Sequence, residues 1–509
     1  MHWSDDIVEA LKRRGGSHVI ETGTSISGIP HLGNASDVIR GDCVRKVAEQ
    51  EGLDVSLIWV SDDSDPFRKV PAGMEELADY IGYPVKDIPA PKGGAGSLVE
   101  HLADPFLADL AGFGVTPIRY SGTELYRSGA LLPEIEVAFE KREPLREILN
   151  KFRREDLPDD WVPWTPICEG CGRISTTKVT SLSGLEASYV CQTTDVSGGT
   201  ATGCGHEGVS DARAGMGKLP WRVEWAARWA HFKVTCEPFG KEHAAAGGSY
   251  DTSKIVSQQV YGWEPPVPVV YEFFTLNGAK ISSSKGNVIS LADWLSIAEP
   301  EVLKYFMYKR LGKARDINLR MLPNLCDEYD AGERAFFGKE DGSDQAKRLY
   351  ELSQVDDAAY MNVPFTLCGV LAQVAREDEL SSKVSSMGYE GFDEKRLAVR
   401  VALAGNWVTT YGPEYLRFQL RSDEDARGEF AGLGAEHKVA LKKLAGLVGD
   451  IADPKVMHKS IYETARGEGI DPKELFNSIY MTLIGKEKGP KAAAFLMSLG
   501  KETLSAKWA

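Results

Sequence analysis

Ser25-Ile-Ser-Gly-Ile-Pro-His31-Leu-Gly-Asn34 decides the reading of this chain, and Lys280-Ile-Ser-Ser-Ser-Lys285-Gly-Asn287 answers it far downstream. The first stretch follows the apolar run His18-Val-Ile and precedes an amphipathic segment, residues 35–50. That order predicts a strand, a Gly-rich turn and the start of a helix. Amides at a helix start lack intrahelical partners and sit at the positive end of the dipole, so a phosphate docks there readily. The second stretch is a Ser-rich, Lys-flanked loop backed by Gly286, suited to wrapping a polyphosphate from the other side.

Working outward, the first half alternates apolar runs with helical patterns. An N-terminal helix is expected over 1–17, a strand over 18–24, a helix over 35–50, and a second strand, Val55-Ser-Leu-Ile-Trp-Val60, running into Ser61-Asp-Asp-Ser-Asp65-Pro. Strand, helix and strand in so short a span predict a right-handed parallel unit. Carboxylates at the C-terminal end of such a strand face the ligand crevice, or cap the element that follows. A Pro/Gly-rich loop (84–97), a helix (98–113), a third strand (116–121) and one long charged helix (131–154) come next. Trp221, Trp225 and Trp229 share one helical face, which predicts core packing for the last two. The strand over 234–240 opens into Lys241-Glu-His243-Ala-Ala-Ala-Gly-Gly-Ser-Tyr250-Asp251, whose small residues allow a ligand close to the backbone. The last core strand, from Pro268 through Tyr271, leads to the Lys280 loop, and from Leu291 onward the periodicity is helical.

The chain holds 509 residues, 43% hydrophobic and 26% charged, enough for a sizeable core in about two to four domains. No apolar run nears the length of a spanning helix, and the N-terminus has no basic region followed by an apolar core, so a cytoplasmic protein is expected. The net charge of −15 argues against a uniformly basic surface but leaves room for one basic face. Four of the eight cysteines fall between Cys168 and Cys204. Disulfides are disfavoured in a large cytosolic chain, whereas Cys168-Glu-Gly-Cys171 with Cys191 and Cys204-Gly-His206 has tetrahedral zinc spacing. Four thiolates would close the coordination sphere, so the site reads as structural, with either Cys191 or His206 as the remaining ligand.

In their order the two opening stretches resemble the signature motifs of class I aminoacyl-tRNA synthetases, usually His-Ile-Gly-His and Lys-Met-Ser-Lys-Ser. With Thr22-Gly-Thr-Ser25, Ser61–Pro66, Trp221-Arg-Val-Glu-Trp225 and Glu237–Tyr250, the set resembles the class I lysyl-tRNA synthetases of archaeal and spirochaete type. The likeness covers residues 1 to about 315 and resumes in Ser460-Ile-Tyr-Glu-Thr-Ala and Phe476–Pro490. It implies an α/β fold: a Rossmann-type parallel-sheet catalytic domain with a small zinc-binding insert, then an all-α C-terminal helix cage. The boundaries it suggests are 1–160 and 216–290 for the catalytic halves, 161–215 for the insert, 291–345 for a stem-contact region and 346–509 for anticodon binding.

The resemblance also implies roles. His31, Gly33, Asn34, Lys280, Ser282, Ser283 and Ser284 would hold ATP, with His31, Asn34, Lys280 and Lys285 catalytic. Gly23, Ser25, Asp62, Trp221, His243 and Tyr271 would face lysine, with Glu242 or Asp251 as further charges. Magnesium would share the phosphates, one structural zinc would sit on Cys168, Cys171, Cys191 and Cys204, and the macromolecular partner would be tRNA(Lys). Trp407, Tyr411 and Arg417 are candidates for stacking on an unpaired base, and Lys438, Lys442, Lys443, Lys486, Lys488 and Lys491 for phosphate contacts. The 90–101 segment carries no cysteine, so no second zinc is expected. Two positions depart from the family pattern: Asn34 stands for the second His, and Ser283 for the second Lys. Two rivals remain: a glutamyl- or glutaminyl-type class I enzyme, and a non-catalytic tRNA-binding paralogue.

Overall fold

The computed structural model describes residues 2–26, 28–92, 94–281 and 287–509, and they divide into two compact units. The first comprises Met1–Leu291 with Met307–Ile317, the second Ala292–Phe306 with Asn318–Ala509.

The first unit opens with α1 (Trp3–Arg14), stopped by Gly15 at a positive φ of 72°. Then come β1 (His18–Thr24), α2 (Leu32–Gln50), β2 (Val55–Ser61), α3 (Leu98–Ala111) and β3 (Ile118–Ser121). α2 begins three residues earlier than periodicity indicated, inside the first motif, because His31 and Asn34 form its cap. After β3 comes the short α4 (Gly122–Arg127), and the single helix expected over 131–154 is two shorter ones, α5 (Leu132–Glu140) and α6 (Arg142–Asn150). Lys141 breaks the run with a non-helical φ/ψ of −100°, 30°, and Pro144 sits in the first turn of α6, where its missing N–H costs no intrahelical bond.

The insert follows as β4 (Thr165–Pro166), β5 (Thr177–Ser183), β6 (Glu186–Cys191), β7 (Thr194–Val196), β8 (Gly199–Ala201), β9 (Glu207–Asp211) and β10 (Gly217–Lys218). β5, β6 and β9 form an antiparallel sheet and β7–β8 a separate hairpin. The chain returns to the core through α7 (Trp221–Phe232), β11 (Val234–Gly240), α8 (Ser249–Val256) and β12 (Val267–Tyr271).

The central sheet has the order β12-β11-β1-β2-β3, and every pairing is parallel. All seven residues of β11 are buried, as expected of a strand covered on both faces. The strand order reverses between β1 and β11, so their C-terminal ends flank the crevice where ligands of such sheets bind. α2 lies close on the sheet at Gly41, where a Cβ would fall 2.9 Å from Leu57 Cδ1. Beyond the sheet, β13 (Phe274–Leu276) pairs with β14 (Ala279–Lys280) and with β15 (Arg315–Ile317).

The second unit is helical, from α9 (Leu291–Leu295) and α10 (Pro300–Tyr308), which adjoin the unit boundary, through α11 (Leu322–Phe336) to α21 (Lys501–Lys507). Its core buries Trp294, Trp407, Tyr329, Tyr350 and Trp508. Buried Arg400 bridges Glu299 at 2.6 Å and Asp330 at 2.8 Å. Trp407 is corrected from a stacking candidate to a core residue, since its Nε1–H donates 2.7 Å to the Leu319 carbonyl. Arg417 likewise spends its guanidinium on the carbonyls of Val408 and Gly412. No helix among the described residues is long and apolar enough to cross a membrane.

Candidate active site

His31 ends the turn after β1 and caps α2. Its Nδ1 accepts from the Gly33 amide at 3.0 Å, and Asn34 Oδ1 accepts from the His31 amide at 3.0 Å. Accepting at Nδ1 fixes the tautomer with the proton on Nε2. Burial lowers the His31 pKa, so the ring is a neutral donor rather than a cation. Gly33 is needed for this arrangement, because a Cβ there would fall 2.7 Å from the His31 ring. Ser25, His31 and Asn34 line a cavity of about 430 Å³ whose far wall is Asp65–Pro71.

The second motif approaches the first through its flanks. The Leu32 amide donates 3.1 Å to the Ile289 carbonyl, joining the start of α2 to the chain just after the Ser-rich loop. Asn287 Nδ2 donates 3.3 Å to the Lys280 carbonyl, closing the base of that loop. Exposed Lys280 lies with its Nζ 5.8 Å from the Phe273 ring centroid. Ser282, Ser283, Ser284 and Lys285 lie outside the described residues.

Under the crevice a charged layer joins β1, β2 and α7. Buried Arg228 pairs with Glu21 at 2.9 Å and Asp62 at 2.7 Å, and Glu224 stands 3.8 Å away. Buried Lys218 pairs with Glu224 at 2.9 Å and with Asp65. Four carboxylates thus face two cations, leaving the layer with surplus negative charge. Burial raises the pKa of Glu21 to about 7 against the pull of Arg228, and raises that of Asp62 for the same reason. Gly23 passes close by, where a Cβ would lie 3.3 Å from the Val60 carbonyl and 3.6 Å from the Arg228 guanidinium.

An aromatic wall continues from this layer. Trp221 stacks on Trp225 at 5.3 Å and 16°, and the Arg228 guanidinium lies 5.4 Å from the Trp221 ring centroid. His243 meets Trp225 edge-on at 5.5 Å, and burial holds its imidazole neutral by lowering the pKa. Trp225 and Trp229 are core residues as their spacing predicts, and both indoles donate to buried Glu237. Tyr271 donates to Asp37, with the Arg40 guanidinium 4.1 Å from the Tyr271 ring centroid. Burial lifts the half-buried Asp37 carboxyl to about 7, opposed by the Tyr271 hydroxyl and by Arg40.

Of the expected lysine-facing residues, Gly23, Asp62, Trp221 and His243 are joined by these contacts, Ser25 lines the adjoining cavity, and Tyr271 reaches α2 through Asp37. Asp62 is not a free carboxylate, since Arg228 occupies one of its oxygens. Asp251 is turned away to its own loop, accepting from the Gly247 amide at 3.1 Å.

The cysteines converge as well. The sulfurs of Cys168, Cys171, Cys191 and Cys204 all lie within 4.8 Å of one another, with Cys168–Cys204 and Cys171–Cys191 both at 3.7 Å. Thiolates about 2.3 Å from one tetrahedral ion stand about 3.8 Å apart, so this quartet fits a metal closely. The Cys204 amide donates to Cys191 Sγ at 3.3 Å, a contact that favours the thiolate. The cluster that converges includes Cys191, and its four sulfurs make up a quartet without His206.

The family profile described as tRNA synthetases class I (K) matches residues 1–356. The chain belongs to that family. A lysine–tRNA ligase of Methanosphaera stadtmanae is 35% identical over 531 aligned positions, covering 98% of this chain and 98% of the relative. That of Methanocaldococcus jannaschii is also 35% identical, over 99% and 98%. That of Archaeoglobus fulgidus is 34% identical, likewise over 99% and 98%.

Three residues of this class I synthetase escaped the sequence reading. Asp37 sits one turn beyond Asn34 on the face that carries the cap, a spacing of three that was available as a signal. Arg68 and Lys69 line the cavity opposite His31, and only their position after the Asp-rich turn hinted at it.

Proposed function

We propose that this chain is a lysine–tRNA ligase, activating lysine with ATP and passing it to the 3′ end of tRNA(Lys). A carboxylate oxygen of lysine attacks the α-phosphorus, the bond to the bridging oxygen breaks and pyrophosphate leaves. A ribose hydroxyl of the tRNA then attacks the carbonyl carbon and releases AMP. Neither step needs a covalent enzyme intermediate, so alignment and donors aimed at developing phosphate charge carry the catalysis.

The neutral Nε2–H of His31 and the Asn34 amide would donate to the phosphates at the α2 start, with the Gly33 backbone beside them. Lys280, Lys285 and Ser282, Ser283 and Ser284 would close over the leaving pyrophosphate, with magnesium sharing that charge. The aliphatic stem of lysine would lie along Trp221 and His243, with Gly23 and Ser25 at its backbone end. Its ammonium would face Asp62, Asp37 and Tyr271.

The quartet at 168, 171, 191 and 204 would hold one zinc as a structural ion. The insert over 161–215 would serve the acceptor end, 291–345 the stem and 346–509 the anticodon, between catalytic halves at 1–160 and 216–290. tRNA is the natural partner of such a layout, and the cytoplasm its natural place.

The surplus of carboxylates over cations beneath the crevice carries the choice of amino acid. A glutamyl-type pocket needs an unspent cation for the substrate's side-chain carboxylate, whereas the two cations of this buried layer, Arg228 and Lys218, are already doubly paired. Charging of unfractionated tRNA with each radiolabelled amino acid tests this: lysine should be the amino acid transferred. Transfer of glutamate instead would sink the assignment, and tRNA binding without any transfer would favour the paralogue.

A further inference from the structure

Arg68 and Lys69 follow the Asp62–Asp65 turn and line the 430 Å³ cavity across from His31 and Asn34. Neither has a carboxylate partner among the described residues. The acid that shares this lining, Asp65, is engaged by Lys218. With His31 neutral and Asn34 in place of a second histidine, these two are the Lys and Arg side chains among the described residues that line this cavity. Arg68 also lines a second cavity of about 280 Å³ that contains Trp221, so it stands between the nucleotide side and the amino-acid side.

Their position is built in by the insert. The hairpin 192–203 is bracketed by two of the metal-fitting cysteines, Cys191 and Cys204, and its tip presses on the 68–69 backbone. A Cβ at Gly198 would fall 2.4 Å from the Arg68 carbonyl and 2.7 Å from Lys69 Cβ, and Ser197 joins the cavity lining. The other end of the segment is pinned too. Arg173 donates to the carbonyls of Asp79 and Ile81, the Ile174 amide donates to Gly82, and Phe67 exchanges backbone hydrogen bonds with Gly82 and Tyr83.

We propose that Arg68 and Lys69 form a phosphate clamp opposite the first motif, supplying the positive charge that Asn34 and Ser283 lack and held in place by the insert hairpin. The proposal rests on the ligase reading. The shared chemistry is a phosphate, and its two sources are the triphosphate of ATP and the terminal phosphate of the tRNA acceptor end. A guanidinium suits either, since its fork matches phosphate oxygens in pairs.

The test uses the full-length, metal-loaded protein and four variants: Arg68→Gln, Lys69→Gln, the double change and Arg68→Lys. Calorimetric titration with adenosine 5′-(β,γ-methylene)triphosphate and with adenosine separates charge recognition from base recognition. If the clamp serves ATP, triphosphate affinity falls about tenfold for each charge removed, adenosine affinity does not move, and Arg68→Lys retains most of the wild-type value. If it serves the tRNA, triphosphate affinity stays put while transfer from preformed adenylate slows by a similar factor. Equal loss for adenosine and the triphosphate, or no change in either assay, overturns the clamp. Lysine-dependent exchange by the wild-type protein is run alongside, and its absence would count against the ligase reading instead.

Discussion

Lys280 and Asp37 are the residues at which the chemistry can be tested one group at a time. Lys280 is exposed at the base of the second motif, and the role proposed for its charge is to meet the leaving pyrophosphate. Lys280→Ala should slow adenylate formation tenfold or more while lysine affinity stays within about twofold, because a contact made only to the transferring phosphates enters kcat rather than substrate binding. Pyrophosphate exchange measured over a range of lysine concentrations separates the two. Asp37 bears on lysine through its proton. Burial holds this carboxyl near pH 7, and an ammonium binds the ionised form. Acidification below about 7 therefore protonates the partner, and KM for lysine should rise by up to tenfold per pH unit. Asp37→Asn should give a raised KM that follows pH less steeply in that range, the remaining dependence belonging to the Glu21–Asp62 layer. Sequence pattern found His31 and Asn34 because they stand at a helix start, where spacing is informative. It missed Asp37 because an acidic residue inside a helix looks like any solvated one until its neighbours are known.

At the level of elements, local spacing placed the strands of the central sheet well, and the insert strands and the helix breaks poorly. β1, β2 and β11 were legible from short apolar runs ending in glycine or aspartate. The split between α5 and α6 was hidden, since charged residues with apolar neighbours at three and four continue through Lys141 on paper. The cysteine quartet was legible from spacing, yet the hairpin it encloses was not. Only the folded insert shows that the hairpin tip, at Ser197 and Gly198, reaches the cavity beside His31. Stripping the metal proposed for the quartet should therefore show in three readouts. Limited proteolysis should cut between 192 and 203, and the melting temperature should fall, because an insert this small takes its folding energy from the ion. Triphosphate affinity should weaken along with it while lysine affinity holds. A stripped protein that resists protease and melts unchanged would mean the thiols stabilise the insert unaided.

On the scale of the whole molecule, the class of fold was readable because parallel strands covered on both faces and amphipathic helices leave different periodicities. Trp407 is no stacking residue for a reason of the same scale. Trp407 looks like any exposed aromatic in one dimension, and only tertiary packing turns it inward onto the Leu319 carbonyl. Buried Arg400 shows how the helical unit is fixed, bridging Glu299 on one element and Asp330 on another. Arg400→Met leaves two buried carboxylates without their cation, and should cost about 3–5 kcal/mol in urea unfolding of the unit that contains it. Lysine activation at low temperature should persist in that variant, since every group assigned to the chemistry lies in the first unit.

The crevice at the C-terminal ends of β1 and β11 should activate a cationic amino acid on ATP. Amino-acid-dependent exchange of labelled pyrophosphate into ATP by the purified protein addresses it without any tRNA. Exchange that requires lysine and collapses in His31→Ala is the expected result. Exchange driven by glutamate or glutamine, or lysine-dependent exchange untouched by His31→Ala, would contradict it.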